Sequence, residues 1–485
     1  MKLATAVSWA IGTQYLIFAV QAAASMYLSR HFISPDEFGA FAIAVAAAGM
    51  VSSFQDFGLI RYLVGLKHIR REDLNAAFRI SAALACAVCS LCLLAAAPVA
   101  DWMEIPSVRT PLTLLGLAAL FLPISLGPIV LLQRAMNFRA LGFVESAGVL
   151  ANVAISIYLA QAAFGAEALA WGSLAQQVAR ALCAQVMVKG HWPLQGMPSD
   201  TGALIRFGWN AATMNSLWLA ANSIPDLMIG HHLGQTAAGL SSRAQGLSSL
   251  LRQLLSNAAS PAFYAAFSRA YRNDEPLAPL YERMVAGYCA LAWPALAGTA
   301  ILAEPVILLL FGENWLLVAP VLQWTALAQM WFIAVPLHVE LPMLTGQTQP
   351  MVRRSIGDST IFLIMVAMGA FHSVVAAAVM RFLFGFIWMA IHGPPIYALV
   401  GISFRRVAVL YGQALALTLA AILPAALARL FLPTGDLTPL VAMALACMGC
   451  ILWLATIFAT RHPAAAIIRN QLTGAGLWKP SANVR

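Results

Sequence analysis

Apolar residues recur in stretches of about 18 to 25 positions from one end of the chain to the other, each long enough to cross a hydrocarbon layer roughly 30 Å thick as a helix. The stretches fall near residues 5–29, 38–58, 80–98, 111–132, 142–163, 167–188, 207–230, 236–260, 286–310, 316–342, 356–374, 376–400, 407–430 and 439–459. They predict about fourteen transmembrane helices. Strands of a membrane barrel would alternate apolar and polar residues over about ten positions, and no segment does so. The predicted fold class is therefore all-α integral membrane.

Charge then sets the orientation. With the N-terminus cytoplasmic, Lys and Arg in the inside loops outnumber those outside by about seven to one, and only Arg30, Arg109 and Arg429 fall outside. One helix added or removed in mid-chain would swap every later loop, so the asymmetry supports an even count with both termini cytoplasmic. Composition agrees, with 61% hydrophobic and 10% charged residues and a mean hydropathy of +0.80, where a soluble domain is about one quarter charged. The net charge of +9 is spread over many short loops, which argues against a nucleic-acid partner. Ala22, Ala23 and Ala24 look like a cleavage point, but the first apolar run is longer than a signal core, so this helix is expected to stay. Cys86, Cys89 and Cys92, and Cys447 and Cys450, lie inside apolar helices without histidines, which predicts packing rather than a metal site. No cofactor is expected.

Residues 9–44 laid over 209–244 match Trp9 with Trp209, His31 with His231, Gly39 with Gly239 and Ala44 with Ala244. Six helices separate the copies, so the halves share one orientation and are related by an axis near the membrane normal. This predicts two pseudo-symmetric six-helix lobes, 1–206 and 207–403, followed by a C-terminal helix pair and cytoplasmic tail over 404–485, with a substrate cleft between the lobes. Gln14, Gln21 and Ser25 are spaced i, i+7, i+11, which places them within about 40° of arc on the first helix. Asn215, Asn222 and Asp226 repeat the spacing on the seventh, so both stripes are expected to line the cleft. Single polar groups in membrane helices also bond neighbouring helices, and that is the competing reading. Pro225 is expected to kink the seventh helix.

The stretch GLSSRAQGLSSLLRQLLSNAASPAF at 239–263 carries two permanent cations, Arg243 and Arg252. A charge near the bilayer centre costs at least about 2.5 kcal/mol, so it faces protein or a watery cavity. Arg252 shares its helix face with Gln245, Ser249 and Ser256. Arg243 lies about 180° away, beside Gly246, Leu247 and Leu250, and spacing leaves open whether it serves the cleft or a helix contact. Arg180, on a face with Ser173, Gln176 and Gln177, and Arg381 are further candidates, with structural pairing or snorkelling as the alternative. Fewer acids lie within the apolar spans: Asp56, Glu145, Asp226, Glu304 and Glu340. The cationic balance suits an anionic substrate, since guanidinium forks match phosphate oxygens. Asp226 and Asp56 are the candidates for a coupling proton or ion.

ISPDEFGAFAIA at 33–44, DLNAAF at 73–78, QRAMNFRAL at 133–141, GLSSRAQGL at 239–247 and LLFGENW at 309–315 together resemble the polysaccharide-transport branch of the multidrug/oligosaccharidyl-lipid/polysaccharide flippase superfamily. The resemblance covers most of the first ten predicted helices. It implies a bacterial inner-membrane flippase that moves undecaprenyl-diphosphate-linked sugar units outward by alternating access, for lipopolysaccharide, capsule or exopolysaccharide assembly. Polysaccharide polymerase and chain-length proteins are the partners it implies, beside the lipid-linked oligosaccharide and the bilayer. A cation-coupled exporter of drugs or small metabolites is the first rival, and would favour acidic groups in the cleft. A membrane-embedded glycosyl-transfer enzyme is the second. It usually needs a sizeable outer loop with paired carboxylates, and the outer loops here are short, so the chain is not expected to be an enzyme.

If both polar stripes line one aqueous cleft, cysteines placed at Gln21 and Asn222 in a cysteine-free variant will both react with a water-soluble thiol reagent. Protection of both positions in every transport state would rule that cleft out.

Overall fold

The computed structural model describes residues 3–52, 55, 57–188, 202–431, 437–460 and 462, so Asp56 lies outside the described residues. Every regular element among them is helical. The chain forms two compact units, Met1–Ser242 and Arg243–Arg485. The first holds α1 (Leu3–His31), α2 (Pro35–Ser52), α3 (Leu59–Gly65), α4 (Arg71–Met103), α5 (Arg109–Ala119), α6 (Leu122–Arg134), α7 (Phe138–Gln161), α8 (Ala166–Met187) and the start of α9 (Gly202–Arg272). The second holds the rest of α9 and then α10 (Ala278–Ile301), α11 (Ala303–Leu310), α12 (Val318–Ala334), α13 (Glu340–Leu344), α14 (Thr348–Ala370), α15 (Val374–Val400), α16 (Phe404–Phe431) and α17 (Pro439–Ala459). Among the described residues, six helices are long and apolar enough to cross a membrane, or seven if a bent pair counts as one span.

That pair is one of the places where the chain departs from the spans read off the sequence. The stretch at 111–132 is two helices, α5 and α6, bent by 44°, with Pro123 at the start of α6 where a missing N–H costs nothing. The stretch Gly202–Arg272, α9, is two helices meeting at a kink at Gly234 (φ 83, ψ 175), which falls in the gap between the stretches read at 207–230 and 236–260, while the helix continues through Pro225. A proline removes one hydrogen bond, which a long helix can absorb, whereas this backbone conformation is open essentially only to glycine. The stretch at 316–342 stops being regular after Ala334, where Pro336 and the left-handed Leu337 (φ 55) separate α12 from α13.

Small residues set the helix spacing within each unit. In the first, α7 packs along α8 and α1 packs on α7. A Cβ on Gly172 of α8 would stand 1.9 Å from Ser156 Oγ, and one on Gly148 of α7 would stand 3.1 Å from the Gln176 carbonyl oxygen. In the second, α10 packs against α12 and α16 and α14 against α15, around a core containing Tyr281, Met284, Trp293, Leu296 and Trp388. The last helix, α17, lies along α16 and touches α11. There a Cβ on Gly449 would meet the Ala421 carbonyl oxygen at 2.3 Å.

The matched glycines of the repeat meet each other. A Cβ on Gly39 would lie 1.8 Å from the carbonyl oxygen of Gln235, and one on Gly239 would lie 2.2 Å from that of Pro35. Pro35 and Gln235 are themselves 200 positions apart, as are Gly39 and Gly239, so the contact is reciprocal. Asp36 accepts hydrogen bonds here from the Gln235 side-chain amide and from Thr236 Oγ1 (2.7 Å), and Ser107 Oγ donates to Gln235 Oε1 (2.8 Å).

Gly39→Ala or Gly239→Ala will force the two backbones apart, with an overpacking cost of about 1–3 kcal/mol. Gly412 has nothing within 4 Å of its would-be Cβ, so Gly412→Ala should be neutral or slightly stabilising. Thermal unfolding of the purified variants in detergent measures both; equal melting temperatures would show that the glycine crossing is not tight.

Candidate functional site

The arginines singled out in the sequence are held in three different ways. Arg180 on α8 donates from Nη2 to Glu145 Oε1 on α7 at 2.8 Å, so two of the candidate charges neutralise each other. Nearby, Asn152 donates to Gln176 Oε1 (3.1 Å), joining the same two helices. Arg243 is 8% exposed. Its guanidinium carbon stands 4.7 Å from the ring centre of Phe311 and 4.8 Å from that of Trp315. Stacking between rings suits the planar, weakly hydrated guanidinium. Arg252 is half-buried. Its Nε is buried with no hydrogen-bond partner among the described residues, and it lies within electrostatic reach of His338. Arg381 sits over the Phe362 ring at 5.1 Å. Glu304 pairs with Arg429 across 3.5 Å.

On α1, Gln14 and Gln21 are exposed and Ser25 is half-buried. On α9, Asp226 is half-buried. Asn215 and Asn222 lie on the helical stretch of α9, and their side chains are outside the described ones. The stripes are therefore on helices as expected.

Four of the five motifs that carry the family resemblance are helix ends and junctions, and the fifth, GLSSRAQGL, lies inside a helix. In ISPDEF, Ser34 and Glu37 cap the start of α2: Glu37 Oε2 accepts from the Ser34 N–H (2.8 Å) and Ser34 Oγ from the Glu37 N–H (3.3 Å). In DLNAAF, Asp73 Oδ2 accepts from the Arg70 N–H (2.9 Å) at the start of α4. In QRAMNFRAL, Asn137 caps α7 through the Ala140 N–H (3.1 Å). Arg134 of the same motif donates to the carbonyls of Leu63 (3.1 Å), Val64 (3.2 Å) and Leu66 (2.5 Å), which closes the end of α3. LLFGENW supplies Phe311 and Trp315, joined through Gly312 (φ 87), and GLSSRAQGL supplies the Arg243 that they clasp. Two motifs about seventy residues apart are thus one contact.

A further group escaped the sequence reading. His392 Nε2 on α15 lies 2.6 Å from Asp358 Oδ2 on α14, and both residues are buried. The His338 ring packs 5.4 Å from that of His392. Each residue stands alone in its own segment, so only tertiary structure brings them together.

If the ring sandwich holds Arg243, a double-mutant cycle between Arg243→Ala and Trp315→Leu will give a coupling of about 1–2 kcal/mol in thermal or denaturant unfolding. Additive effects would show that the rings do not hold the guanidinium.

Comparison with known proteins places this geometry. A family model described as polysaccharide biosynthesis protein matches residues 28–320. The succinoglycan biosynthesis transport protein ExoT of Rhizobium meliloti (strain 1021) is 26% identical over 353 residues, which covers 71% of this chain and 69% of that protein. The lipopolysaccharide biosynthesis protein WzxC of Escherichia coli (strain K12) is 22% identical over 329 residues, covering 66% of each. Among solved structures, the lipid II flippase MurJ in an inward closed conformation superposes with a TM-score of 0.74 at 10% identity, over 96% of this chain and 100% of that one. An inward-facing multidrug resistance MATE family transporter of the MOP superfamily gives 0.57 at 14% identity, over 79% and 95%. The model match spans more than half of the 485 residues, and the chain belongs to the polysaccharide biosynthesis protein family.

Proposed function

We propose that this protein is a flippase that moves undecaprenyl-diphosphate-linked oligosaccharide units outward across the bacterial inner membrane by alternating access, supplying lipopolysaccharide, capsule or exopolysaccharide assembly. The observation that carries the reading is the family match over residues 28–320, with relatives whose names specify succinoglycan transport and lipopolysaccharide biosynthesis. The fold by itself does not separate this reading from drug export, because both a lipid II flippase and a multidrug transporter share it. In this reading the chain crosses the membrane about fourteen times, as lobes 1–206 and 207–403 with a helix pair and tail over 404–485, and both termini are cytoplasmic. Polysaccharide polymerase and chain-length proteins act downstream as its partners.

The diphosphate falls to Arg252 first: the Nε atoms of Arg180, Arg243 and Arg252 all lack an acceptor among the described residues, but Arg180 is bonded to Glu145 and Arg243 is covered by two rings. A guanidinium in that condition gains from a phosphate oxygen what the fold does not give it. Arg180 contributes if its bond to Glu145 opens, and Gln14, Gln21, Asn215 and Asn222 meet the sugars. Arg243 already has two rings on its guanidinium, and acts on the substrate through the position of α9. Asp226 and Asp56 remain the sequence-derived candidates for the coupling ion.

The test is outward movement of a lipid-linked oligosaccharide in proteoliposomes, read beside the membrane abundance of each variant. Arg252→Ala is expected to remain folded and lose transport at least about tenfold, the scale of one lost charge-assisted hydrogen bond. Arg252→Lys should recover part of it, because the charge survives but the fork does not. Arg243→Ala should lower abundance instead. Normal transport by Ala variants at Arg180, Arg243 and Arg252 would put the diphosphate site elsewhere.

A further inference from the structure

The second unit buries an acid and a base against each other where packing alone would need neither. Asp358 is 8% exposed and His392 is 3% exposed, and the imidazole Nε2 meets the carboxylate Oδ2 at 2.6 Å. The other carboxylate oxygen accepts from Ser359 Oγ at 3.3 Å. A buried ion pair adds little stability over apolar residues of the same volume. An ionisable residue inside a membrane segment is more informative as a sign of function.

The surroundings favour exchange of a proton. His338 projects from the irregular break between α12 and α13, its ring edge-on to His392 at 5.4 Å, and Trp388 packs 4.9 Å from His338 and 5.0 Å from His392. Pro394 and Pro395 lie inside α15 and cannot supply the N–H groups that the carbonyls of Ala390 and Ile391 would otherwise receive. The helix stays regular through both prolines, and the irregular backbone is the break that carries His338, the kind of place where transporter folds put ion sites. A metal cation is poorly matched, since hard cations want about six oxygens. Here one carboxylate oxygen is occupied by an imidazole and the other by a hydroxyl. Other charged or titratable groups on the elements of this core include Arg252 on α9, Tyr281, Glu282, Arg283, Tyr288 and Cys289 on α10, Glu340 on α13, Arg353 and Arg354 on α14, Arg381 and Tyr397 on α15 and Arg405, Arg406, Tyr411 and Arg429 on α16. Tyr397 and Tyr411 share a hydrogen bond of 2.9 Å, and Tyr411 donates to the Ala334 carbonyl (2.7 Å) at the same break.

We propose that Asp358 and His392, with His338 beside them, form a buried proton-binding site whose loading and release drive the transport cycle. The role in transport rests on the flippase reading; the proton site itself does not. One proton added to the pair leaves a net charge in a low-dielectric setting, so a conformation that admits water or a counter-charge then gains population. A tenfold difference in proton affinity between two conformations shifts their balance tenfold, which is enough to give a cycle its direction.

Trp388 is a built-in reporter, because a protonated imidazole quenches a neighbouring indole. The full-length protein in liposomes, titrated between about pH 5 and 8, the range in which histidine changes charge, is expected to show a fluorescence step. The step should be absent from Asp358→Asn, His392→Gln and Trp388→Phe. An imposed proton gradient should speed oligosaccharide transport by the wild type at least threefold, and the Asp358 and His392 variants should lose that response, while sodium has no effect on the step. A step that persists in the variants, or a response to sodium in place of protons, overturns the proposal. Should the first two variants fail to accumulate, Trp388→Phe decides: an unchanged step places the titration elsewhere. A step that behaves as expected in a protein that moves no lipid-linked oligosaccharide leaves the proton site standing and removes the flippase reading. Transport by the wild type that ignores the proton gradient removes the coupling role alone.

Discussion

A helix that ends at or within a membrane must find partners for its terminal N–H and C=O groups, because hydrocarbon supplies none. Much of this structure answers that requirement. Ser34 with Glu37 and Asp73 with Arg70 close the starts of α2 and α4 through paired or single side-chain acceptors. Ser373 and Thr438 do the same for α15 and α17, accepting from the N–H groups of Ala376 and Val441. At the far end of α3, one guanidinium from α6 takes up several carbonyls at once. Ser34, Glu37, Asp73 and Arg134 among them lie in the motifs by which the chain resembles its family.

The same low dielectric sorts the cations. A guanidinium there must be neutralised by a carboxylate, covered by aromatic faces, or left for a ligand. Arg180 shows the first condition and Arg243 the second, and the proposed function assigns Arg252 to the third. Counting basic residues in the apolar segments overstates the charge available to a diphosphate, since the first two are already engaged. Substrate recognition in this reading depends on a small remainder of the charge that the sequence displays.

The helical class was legible because length and apolarity suffice for it, and the sequence comparison picked out Gly39 and Gly239, which meet each other. The breaks were legible only in part. The stretches at 111–132 and 316–342 gave no sign of their interruptions, whereas the gap read between 230 and 236 is where Gly234 kinks the chain, and the kink expected at Pro225 is a continuous helix. Facial spacing placed Arg243 correctly on an apolar side. That it meets Phe311 and Trp315 required the fold. Asp358 and His392 are 34 positions apart on different helices, and neither has a periodic companion on its own segment.

The glycine crossing governs how two segments can move. At Gly39 and Gly239 backbone rests on backbone, with no side chain between to change rotamer and ease a shift. Sliding α2 along its axis by one residue, about 1.5 Å, would bring Phe38 or Ala40 to the point where even a methyl group has no room. Rotation about the contact keeps both backbones seated and shifts only side-chain contacts such as that of Ile43 with Gly230. The pair is therefore a fulcrum: it forbids translation along either helix and permits tilt, so that a rearrangement of these segments takes the form of rocking about one fixed point.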